Sequence, residues 1–367
     1  MSEWEVTILG EVLRLQYGKD HKTLANGSIP CFGSGGIIRY VNQAIYDEES
    51  ILIPRKGTLN NILYQDKPFW TVDTMFWSKI NTRRVLPKFL YYQLQLVDFT
   101  NLDVGSAVPS LTIPVISDID ILLPPFPEQK AISEVLSSLD DKIDLLHRQN
   151  KTLEVMAETL FRQWFIEEVE EDWEEVSLKE IVELQSGFPF KSKAFRETGK
   201  YKVITIKAVQ DGYLELSNAD RIDKIPDKMP LHCFLNIGDI LLSLTGNVGR
   251  CCIVDSQNLL LNQRVAKIKA QKSIYNAFVY AFFRRSETRL QLIEMAKGTA
   301  QLNLSPIETG NIKIKLPPIQ TLNSFNDFAN PVFNRLIANM LLIRNIVVLR
   351  DTLLPKLISG EVRVKLE

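Results

Sequence analysis

The feature that most constrains this chain is a long hydrophobic heptad that occurs twice. The first copy follows Pro124, Pro125 and Pro127, and neither Gly nor Pro occurs in the next 37 residues. Apolar residues recur there in alternating steps of four and three, which is the seam spacing of a coiled-coil helix. Proline suits the first turn because its missing N–H donor would be unpaired there anyway. The pattern therefore predicts a long helix over 125–170.

The second copy lies 193 positions further on, where residues 298–362 align without a gap on 105–169. The heptad survives this shift, and the predicted seam comprises Leu136, Leu139, Ile143, Leu146, Asn150, Leu153, Leu160, Val332, Leu336, Asn339, Ile343, Ile346 and Leu353. The apolar seam of each helix must be shielded from water, so the two helices are predicted to pack together as an antiparallel coiled coil with pseudo-two-fold symmetry. The other interpretation is two amphipathic helices on two separate cores, although such helices rarely keep strict spacing over five heptads.

The seam contains one polar residue near the centre of each helix. Asn150 falls at an a position and Asn339 at a d position, and these positions face each other in an antiparallel pair. The two side chains are therefore predicted to meet.

The segments that flank the helices also repeat. Residues 4–18 align without a gap on 173–187, at a shift of 169, and the second copy is longer by about twenty residues. The chain therefore divides into a first domain at 1–124, a central helix at 125–170, a second domain at 171–316, and a C-terminal helix and tail at 317–367. The two shifts together place the C-terminal tail where the first domain begins, so the plan is predicted to be circular.

Each domain has the pattern of a mixed α+β fold. Short β-branched runs at 36–41, 50–53, 202–206 and 240–244 predict strands of a twisted sheet, and 87–96 and 277–295 predict helices. Glycine-rich turns lie beside two of these predicted strands. Such turns either allow a ligand to approach the backbone or simply connect strands.

Charge is divided unevenly along the chain. Residues 176–320 contain 21 basic and 13 acidic side chains, whereas 128–175 contain 5 basic and 14 acidic ones. A basic domain beside an acidic helix indicates a polyanion partner for the domain and a protein partner for the helix. The acidic run has the alternative interpretation of a solvated linker.

The chain has no recognisable catalytic set. A phosphate-binding loop is missing, the three histidines and four cysteines have no metal-ligand spacing, and no leader or membrane-spanning apolar run is apparent. The sequence LPPF at 123–126 is close to the N-P-P-[YF] motif of amino-methyltransferases, but leucine cannot accept the hydrogen bonds of a target amine. We therefore expect an intracellular, non-enzymatic protein without a metal, in a reducing compartment.

The opening L-P-P-F-P-E-Q-K of the first helix, the LFRQWF at 160–165 and the alternation of domains and helices resemble the specificity subunit of Type I restriction-modification systems. The resemblance covers nearly the whole chain. The second helix departs from it, because Gln-Thr-Leu occupies 320–322 and Arg350 interrupts the seam.

This resemblance implies a non-catalytic DNA-binding subunit. Each domain would be a target-recognition domain that reads one half of a split, asymmetric site in double-stranded DNA, and the helices would separate the domains and dock two methyltransferase subunits. Those partners would bind S-adenosylmethionine, restriction/translocase subunits would add cleavage, and this chain would hold no cofactor. A cytoplasmic complex without membrane contact follows from the same resemblance.

Type I specificity subunits bind DNA through loops, and base-edge discrimination calls for Arg, Lys, Asn, Gln, Ser and Thr. Candidate DNA-binding residues are Ser34, Arg39, Arg55, Lys56, Lys191, Lys193, Lys207, Asn247, Arg250 and Arg264, each of which also fits a solubilising surface. Two other functions are a self-sufficient methyltransferase, whose motifs this sequence lacks, and a coiled-coil scaffold that does not read DNA. Salt-sensitive binding to duplex DNA separates the scaffold from the specificity subunit.

Overall fold

Two globular domains and two long helices form two compact units. A computed structural model describes residues 4–102, 109–297 and 302–365. The first unit comprises 1–143 and 346–367, and the second comprises 144–345. Each unit therefore contains one domain and one part of each long helix.

The described residues of the first unit contain nine strands, which form three small sheets. The strands are β1 (Glu5–Ile8), β2 (Leu13–Tyr17), β3 (Asn26–Gly33), β4 (Gly36–Val41), β5 (Ser50–Pro54), β6 (Leu63–Gln65), β7 (Trp70–Thr71), β8 (Met75–Ile80) and β9 (Asp120–Leu123). Their orders are β1-β9, β2-β8-β5-β6 and β4-β3-β7. The helices are α1 (Pro87–Leu94), α2 (Ile113–Ser117) and the first long helix, α3 (Phe126–Arg162).

The second unit repeats this plan. Its strands are β10 (Glu174–Ser177), β11 (Val182–Ser186), β12 (Tyr201–Ile204), β13 (Arg221–Ile222), β14 (Phe234–Leu235), β15 (Ile240–Ser243), β16 (Cys251–Ile253), β17 (Leu259–Leu261), β18 (Val265–Ala270) and β19 (Lys313–Leu316). Their orders are β10-β19, β11-β18-β15-β16 and β13-β12-β17-β14. The helices are α4 (Asn276–Arg284), α5 (Ser286–Met295), α6 (Pro306–Gly310) and the second long helix, α7 (Ile319–Ile358).

The duplication is visible in strand order and direction. The four-stranded sheets β2-β8-β5-β6 and β11-β18-β15-β16 correspond strand for strand, and all of their pairings are antiparallel. In the other large sheet of each unit, β3 runs parallel to β7 as β12 does to β17. The additional strand β14 lies in the longer part of the second domain. The α+β class with two similar domains is confirmed.

Two details differ from the sequence predictions. As far as the structure describes them, the short strands of each domain pair in three separate sheets, where one twisted sheet was expected. The helix predicted over 277–295 is two helices, since Arg285 adopts an extended conformation with φ −65° and ψ 140°. The strands predicted at 36–41 and 50–53 are confirmed as β4 and β5.

The two long helices run antiparallel in both units. In the first unit Arg350 of α7 donates to Asp140 of α3 at 2.8 Å, and in the second unit Asn339 Nδ2 donates to Asn150 Oδ1 at 2.9 Å. The predicted meeting of the two asparagines is confirmed. Asn339 is 1% exposed, so the pair lies inside the seam.

The predicted seam faces inward throughout. All thirteen side chains are buried or half-buried, with Leu136, Leu146 and Leu336 fully covered. At the end of α3 the chain continues as a π-helical turn, Gln163–Glu167. There the Phe165 ring lies 4.7 Å from Phe325 of α7. The aromatic run LFRQWF therefore joins both helices to the core of the second unit.

The two ends of the described chain meet in the first unit. Trp4 Nε1 donates to Glu128 Oε2 at 3.1 Å, the same carboxylate pairs with Arg363, and the Arg363 guanidinium lies 4.6 Å from the Trp4 ring centroid. Gly360, with φ +74°, ends α7 against the same ring. The circular plan predicted from the two shifts is thus confirmed in this unit.

The expectation that the sequence has no apolar run of membrane-spanning length is wrong in its simple form. Among the described residues one helix, α7, is long and apolar enough to cross a membrane by length and composition, with a mean hydropathy of 1.6 over its most apolar window. Asn and Arg residues interrupt the apolar run, but they lower its mean hydropathy only slightly. In the second unit these interruptions have partners, because Asn339 pairs with Asn150 and Arg344 pairs with Asp255.

Candidate nucleic-acid interface

In the first unit, the β3–β4 turn and the segment after β5 come together. A Cβ atom added to Gly57, whose φ is +89°, would lie 3.0 Å from Ser34 Oγ. Asn61 Nδ2 donates to the Ser34 carbonyl at 2.8 Å, which ties the turn to the segment. Lys56 extends an exposed side chain from the same segment. Glycine at position 57 therefore allows a close approach of two polar loops.

Arg55 is held in this group by an aromatic ring and by backbone contacts. Its guanidinium lies 5.3 Å from the Tyr17 ring centroid, and its Nη1 donates to the Asp73 carbonyl at 3.2 Å. Its backbone N–H donates to the Thr74 carbonyl at 2.8 Å. We refer to Tyr17, Ser34, Arg55, Lys56 and Thr74 as the first loop cluster.

Arg39 is not held in this cluster. Its Nη2 donates to the Leu24 carbonyl and to Asn26 Oδ1, both at 2.9 Å. These contacts attach Arg39 to the start of β3, so its hydrogen bonds have a local structural role.

In the second unit, the corresponding polar group surrounds the loop between β15 and β16. Arg250 Nη1 donates to Gln210 Oε1 at 2.5 Å, and Gln210 Nε2 donates to the Lys207 carbonyl at 2.8 Å. Ser243 Oγ donates to the Asn247 carbonyl, which closes the loop and leaves the Asn247 side chain exposed. We refer to Lys207, Gln210, Asn247 and Arg250 as the second loop cluster.

Two further hydrogen bonds fix the base of this loop. The Leu244 N–H donates to the Arg264 carbonyl at 3.0 Å, and Thr245 Oγ1 donates to Asn303 Oδ1 at 2.9 Å. Arg264 therefore adjoins the second loop cluster through its backbone, and its side chain is exposed.

Lys191 and Lys193 lie on a separate short turn, Ser192–Ala194. The Lys191 carbonyl accepts from the Ala194 N–H, and the Lys193 carbonyl accepts from Arg196 Nη1 at 2.7 Å. Both lysine side chains are exposed. These hydrogen bonds join Lys191 and Lys193 to neighbouring residues of the chain and not to the second loop cluster.

The two clusters occupy corresponding places in the duplicated fold. The segment between β5 and β6 contributes Arg55 and Lys56, and the segment between β15 and β16 contributes Asn247 and Arg250. Strand order is the same on both sides of these connections, but the side chains differ. The same framework thus presents two different sets of hydrogen-bonding groups.

In the second unit, two ion pairs attach the domain to the long helices. Arg344 of α7 contacts Asp255 at 2.7 Å and donates to the Leu214 carbonyl at 2.9 Å. Arg284 contacts Glu154 of α3 at 3.2 Å. Burial raises the pKa of both carboxyl groups above the ordinary values, and each arginine partly opposes that change. These contacts attach the second domain to α7 and to α3.

The helices also expose apolar side chains. In the second unit Leu145, Val155 and Met156 of α3 and Leu342 of α7 are exposed. A shallow cavity of about 330 Å³ is lined by residues that include Leu145, Leu153, Arg148 and Arg335. Apolar residues on a solvent-facing helix surface are typical of a protein contact. Among the residues that the structure describes, no group of His, Cys, Asp and Glu could hold a metal ion.

Comparison with known families identifies the duplicated domain. The model of the Type I restriction modification DNA specificity domain matches residues 1–155 and again 170–338. The chain belongs to this family. It contains two copies of the domain, and it functions in DNA target recognition within a Type I restriction-modification complex.

Similar proteins and a solved structure agree with this assignment. The chain is 26% identical to the Type I restriction enzyme MjaIX specificity subunit of Methanocaldococcus jannaschii, over 88% of this chain and 79% of that protein. It is 25% identical to the MjaVIII specificity subunit of the same organism, over 99% of this chain and 94% of that protein. The crystal structure of a Type I restriction-modification S subunit from M. genitalium has the same fold, with a TM-score of 0.61 and 17% identity, over 97% of this chain and 96% of that one.

Proposed function

We propose that the chain recognises a bipartite, asymmetric site in double-stranded DNA. One half-site would be read through the first loop cluster and the other through the second. The observation that carries this proposal is the placement of two different polar loops at corresponding positions of the same duplicated sheet.

The asymmetry follows from the chemistry of the two clusters. Arg and Lys pair with the acceptors of guanine, whereas Asn and Gln pair with the donor and acceptor of adenine. The first loop cluster offers Arg55 and Lys56, and the second offers Gln210, Asn247 and Arg250. Two readers with different donor and acceptor sets select different base pairs, so the half-sites would differ in sequence.

The chain would direct partner subunits to this site. Two methyltransferase subunits would dock on the paired helices, where apolar side chains are exposed, and restriction/translocase subunits would join them. The methyltransferase partners would bind S-adenosylmethionine and methylate adenine in the cytoplasm. The presence of LPPF at 123–126, where an amino-methyltransferase has Asn or Asp before its prolines, favours placing that chemistry in the partner.

The test is to express the chain with its methyltransferase partner and to map methylated adenines by sequencing. Replacing Arg55 and Lys56 by alanine should weaken recognition of one half-site, and replacing Asn247 and Arg250 should weaken recognition of the other. Losing one bidentate base contact costs about 1–3 kcal/mol, or roughly 5- to 150-fold in affinity. Lys130→Ala, on the exposed surface of α3, is the matched loss of charge outside both clusters.

Two results would contradict this proposal. If the complex failed to bind duplex DNA in a salt-dependent manner, the chain would act as a coiled-coil scaffold instead. If both alanine pairs weakened recognition of the same half-site, the assignment of one cluster to each half-site would be wrong.

A further inference from the structure

Two adjacent isoleucines of the first unit are exposed on strand β4. Ile37 is 51% exposed and Ile38 is 54% exposed, although side chains normally alternate between the two faces of a strand. Strand β4 is the edge strand of the sheet β4-β3-β7. Bulky apolar residues on an exposed edge strand invite aggregation and are usually avoided. Their presence here indicates a role in binding.

A β-bulge explains how both residues come to be exposed. Phe32 of β3 pairs with Ile37, and Cys31 pairs with Arg39, so Ile38 is the extra residue of the bulge. Bulges interrupt the alternation of side chains, and they are frequent beside functional sites because they redirect a side chain.

The bulge also brings Ile38 to the first loop cluster. A Cβ atom added to Gly33 would lie 2.7 Å from Ile38 Cδ1 and 3.5 Å from Thr74 Oγ1. Ile38 therefore covers Gly33 next to Thr74, whose carbonyl accepts from the backbone of Arg55. The apolar pair thus borders the cationic groups of Arg55 and Lys56, and this combination suits the apolar edge of a base beside a phosphate backbone.

We propose that Ile37 and Ile38 contact the 5-methyl groups of thymine in the half-site read by the first unit. This inference rests on the proposed function and adds a chemical class of base contact to it. The major groove admits a two-stranded β-ribbon such as β3–β4, and the thymine methyl group is the one apolar feature of the base edges in that groove. The basic residues of the cluster would contact the flanking phosphates or guanine.

The test uses the complex of the full chain with its methyltransferase partner and a synthetic duplex that carries the mapped target. Each thymine of the first half-site is replaced in turn by uracil, which lacks only the methyl group, and affinity is measured by fluorescence anisotropy. Uracil at one or more positions should weaken binding about 4-fold, the effect of leaving one methyl group unburied.

Variants connect this effect to the isoleucines. The double variant Ile37→Ser/Ile38→Ser should bind the thymine and uracil duplexes equally, whereas Ile37→Val/Ile38→Val should keep the discrimination. Val6→Ser removes an exposed apolar side chain from β1 of the same unit and should behave as wild type. The serine variant should lose affinity by the same factor as wild type when bases of the second half-site are changed, and this unchanged response confirms that it is folded.

Three results would overturn the inference. Wild type could bind uracil and thymine equally at every position of the half-site, or the serine variant could remain as sensitive to uracil as wild type. The serine variant could also abolish self-association in sedimentation while leaving DNA binding unchanged, and β4 would then pair with a second copy of the chain. A complex that binds no duplex at all would refute the proposed function as well, so the two failures are distinguishable.

Discussion

The asparagine pair inside the helix seam gives the most specific test of how the two helices recognise each other. Asn339 is almost completely buried and donates one hydrogen bond of 2.9 Å to Asn150, which is half-buried. Replacing one partner by leucine leaves the other amide without its partner, at a cost of about 1–3 kcal/mol that burial of the new leucine offsets in part. Asn150→Leu should be the more damaging change, because it strands the more deeply buried amide of Asn339.

Replacing both residues should have the opposite effect. The double variant Asn150→Leu/Asn339→Leu loses one hydrogen bond worth about 1 kcal/mol. It gains two leucines, each worth about 1.5–3 kcal/mol when fully buried. We expect the double variant to be more stable than wild type by at least about 1 kcal/mol. The asparagines therefore reduce stability, and their benefit is specificity of register.

That specificity can be quantified. A slip of one heptad would place Asn150 against Val332 and Asn339 against Ile143, so two amides would be buried without partners at about 1–3 kcal/mol each. In the double leucine variant this penalty disappears. Engineered cysteines at Leu146 and Ile343 should form a disulfide efficiently in the wild-type register and with lower yield in the leucine variant.

The assay is a double-mutant cycle by thermal or urea unfolding, with hydrogen exchange of helix amides as a local probe. A change of 1 kcal/mol shifts the melting temperature by roughly 2–4 °C in a protein domain of 150–250 residues. If the double variant were as unstable as the sum of the two single variants, the asparagines would not be coupled and the reasoning would be refuted. Leu153→Met, a volume-conserving change in the same seam, controls for general seam perturbation and should cost less than about 1.5 kcal/mol.

Three further outcomes are expected. Asp255→Leu should leave the Arg344 guanidinium without its carboxylate and destabilise the second unit by about 3–5 kcal/mol, whereas the double variant with Arg344→Met should recover most of the loss in urea unfolding. Burial raises the pKa of Asp255 and Glu154 in the folded state, so the stability that these groups contribute is fully present below their ordinary pKa values of 3.8 and 4.5 and is lost as the pH rises through the raised values. Asp255→Asn should therefore reduce the rise in melting temperature as the pH falls from neutral toward 3.8, and an unchanged slope would contradict the assignment. Gly360→Ala should destabilise the first unit by about 1 kcal/mol or more, because the added methyl group approaches Trp4 at a positive φ, whereas Ser359→Ala beside it should be nearly neutral.

The sequence predicted the parts of this fold that are repeated or periodic. The heptad identified the seam and the asparagine pair, because coiled-coil geometry converts residue spacing directly into contacts. The two alignment shifts predicted that Trp4 would lie at the end of the second long helix, and Arg363 does contact its ring. The internal division of 277–295 was missed, because an extended Arg285 leaves no mark on the apolar pattern.

The loop clusters were predicted only in part. Arg55, Lys56, Asn247 and Arg250 were predicted from residue type and from the use of loops for DNA binding in the family that the chain resembles. Gln210 was missed because it joins the second loop cluster through a hydrogen bond to a residue 40 positions away. The bulge that exposes Ile38 was missed as well, since it depends on the pairing of β3 with β4. Loop composition indicates candidates, but tertiary hydrogen bonds decide which of them meet.

The position of the asparagines also bears on which helices pair. The shift of 193 residues maps Asn339 onto Leu146 and Asn150 onto Ile343, so the two polar positions are not equivalent in the repeat. If α3 paired with α3 of a second chain in the same register, each Asn150 would face Leu146, and two buried amides would lack partners. The pair α7 with α7 would place Asn339 against Ile343, with the same result. Only α3 with α7 brings Asn150 to Asn339, as the 2.9 Å hydrogen bond requires.

Because an unpaired buried amide costs about 1–3 kcal/mol, the two asparagines favour the pairing of unlike helices over self-pairing by about 2–6 kcal/mol. A seam that duplication made self-complementary is thereby biased toward the arrangement that keeps two different DNA readers in one chain.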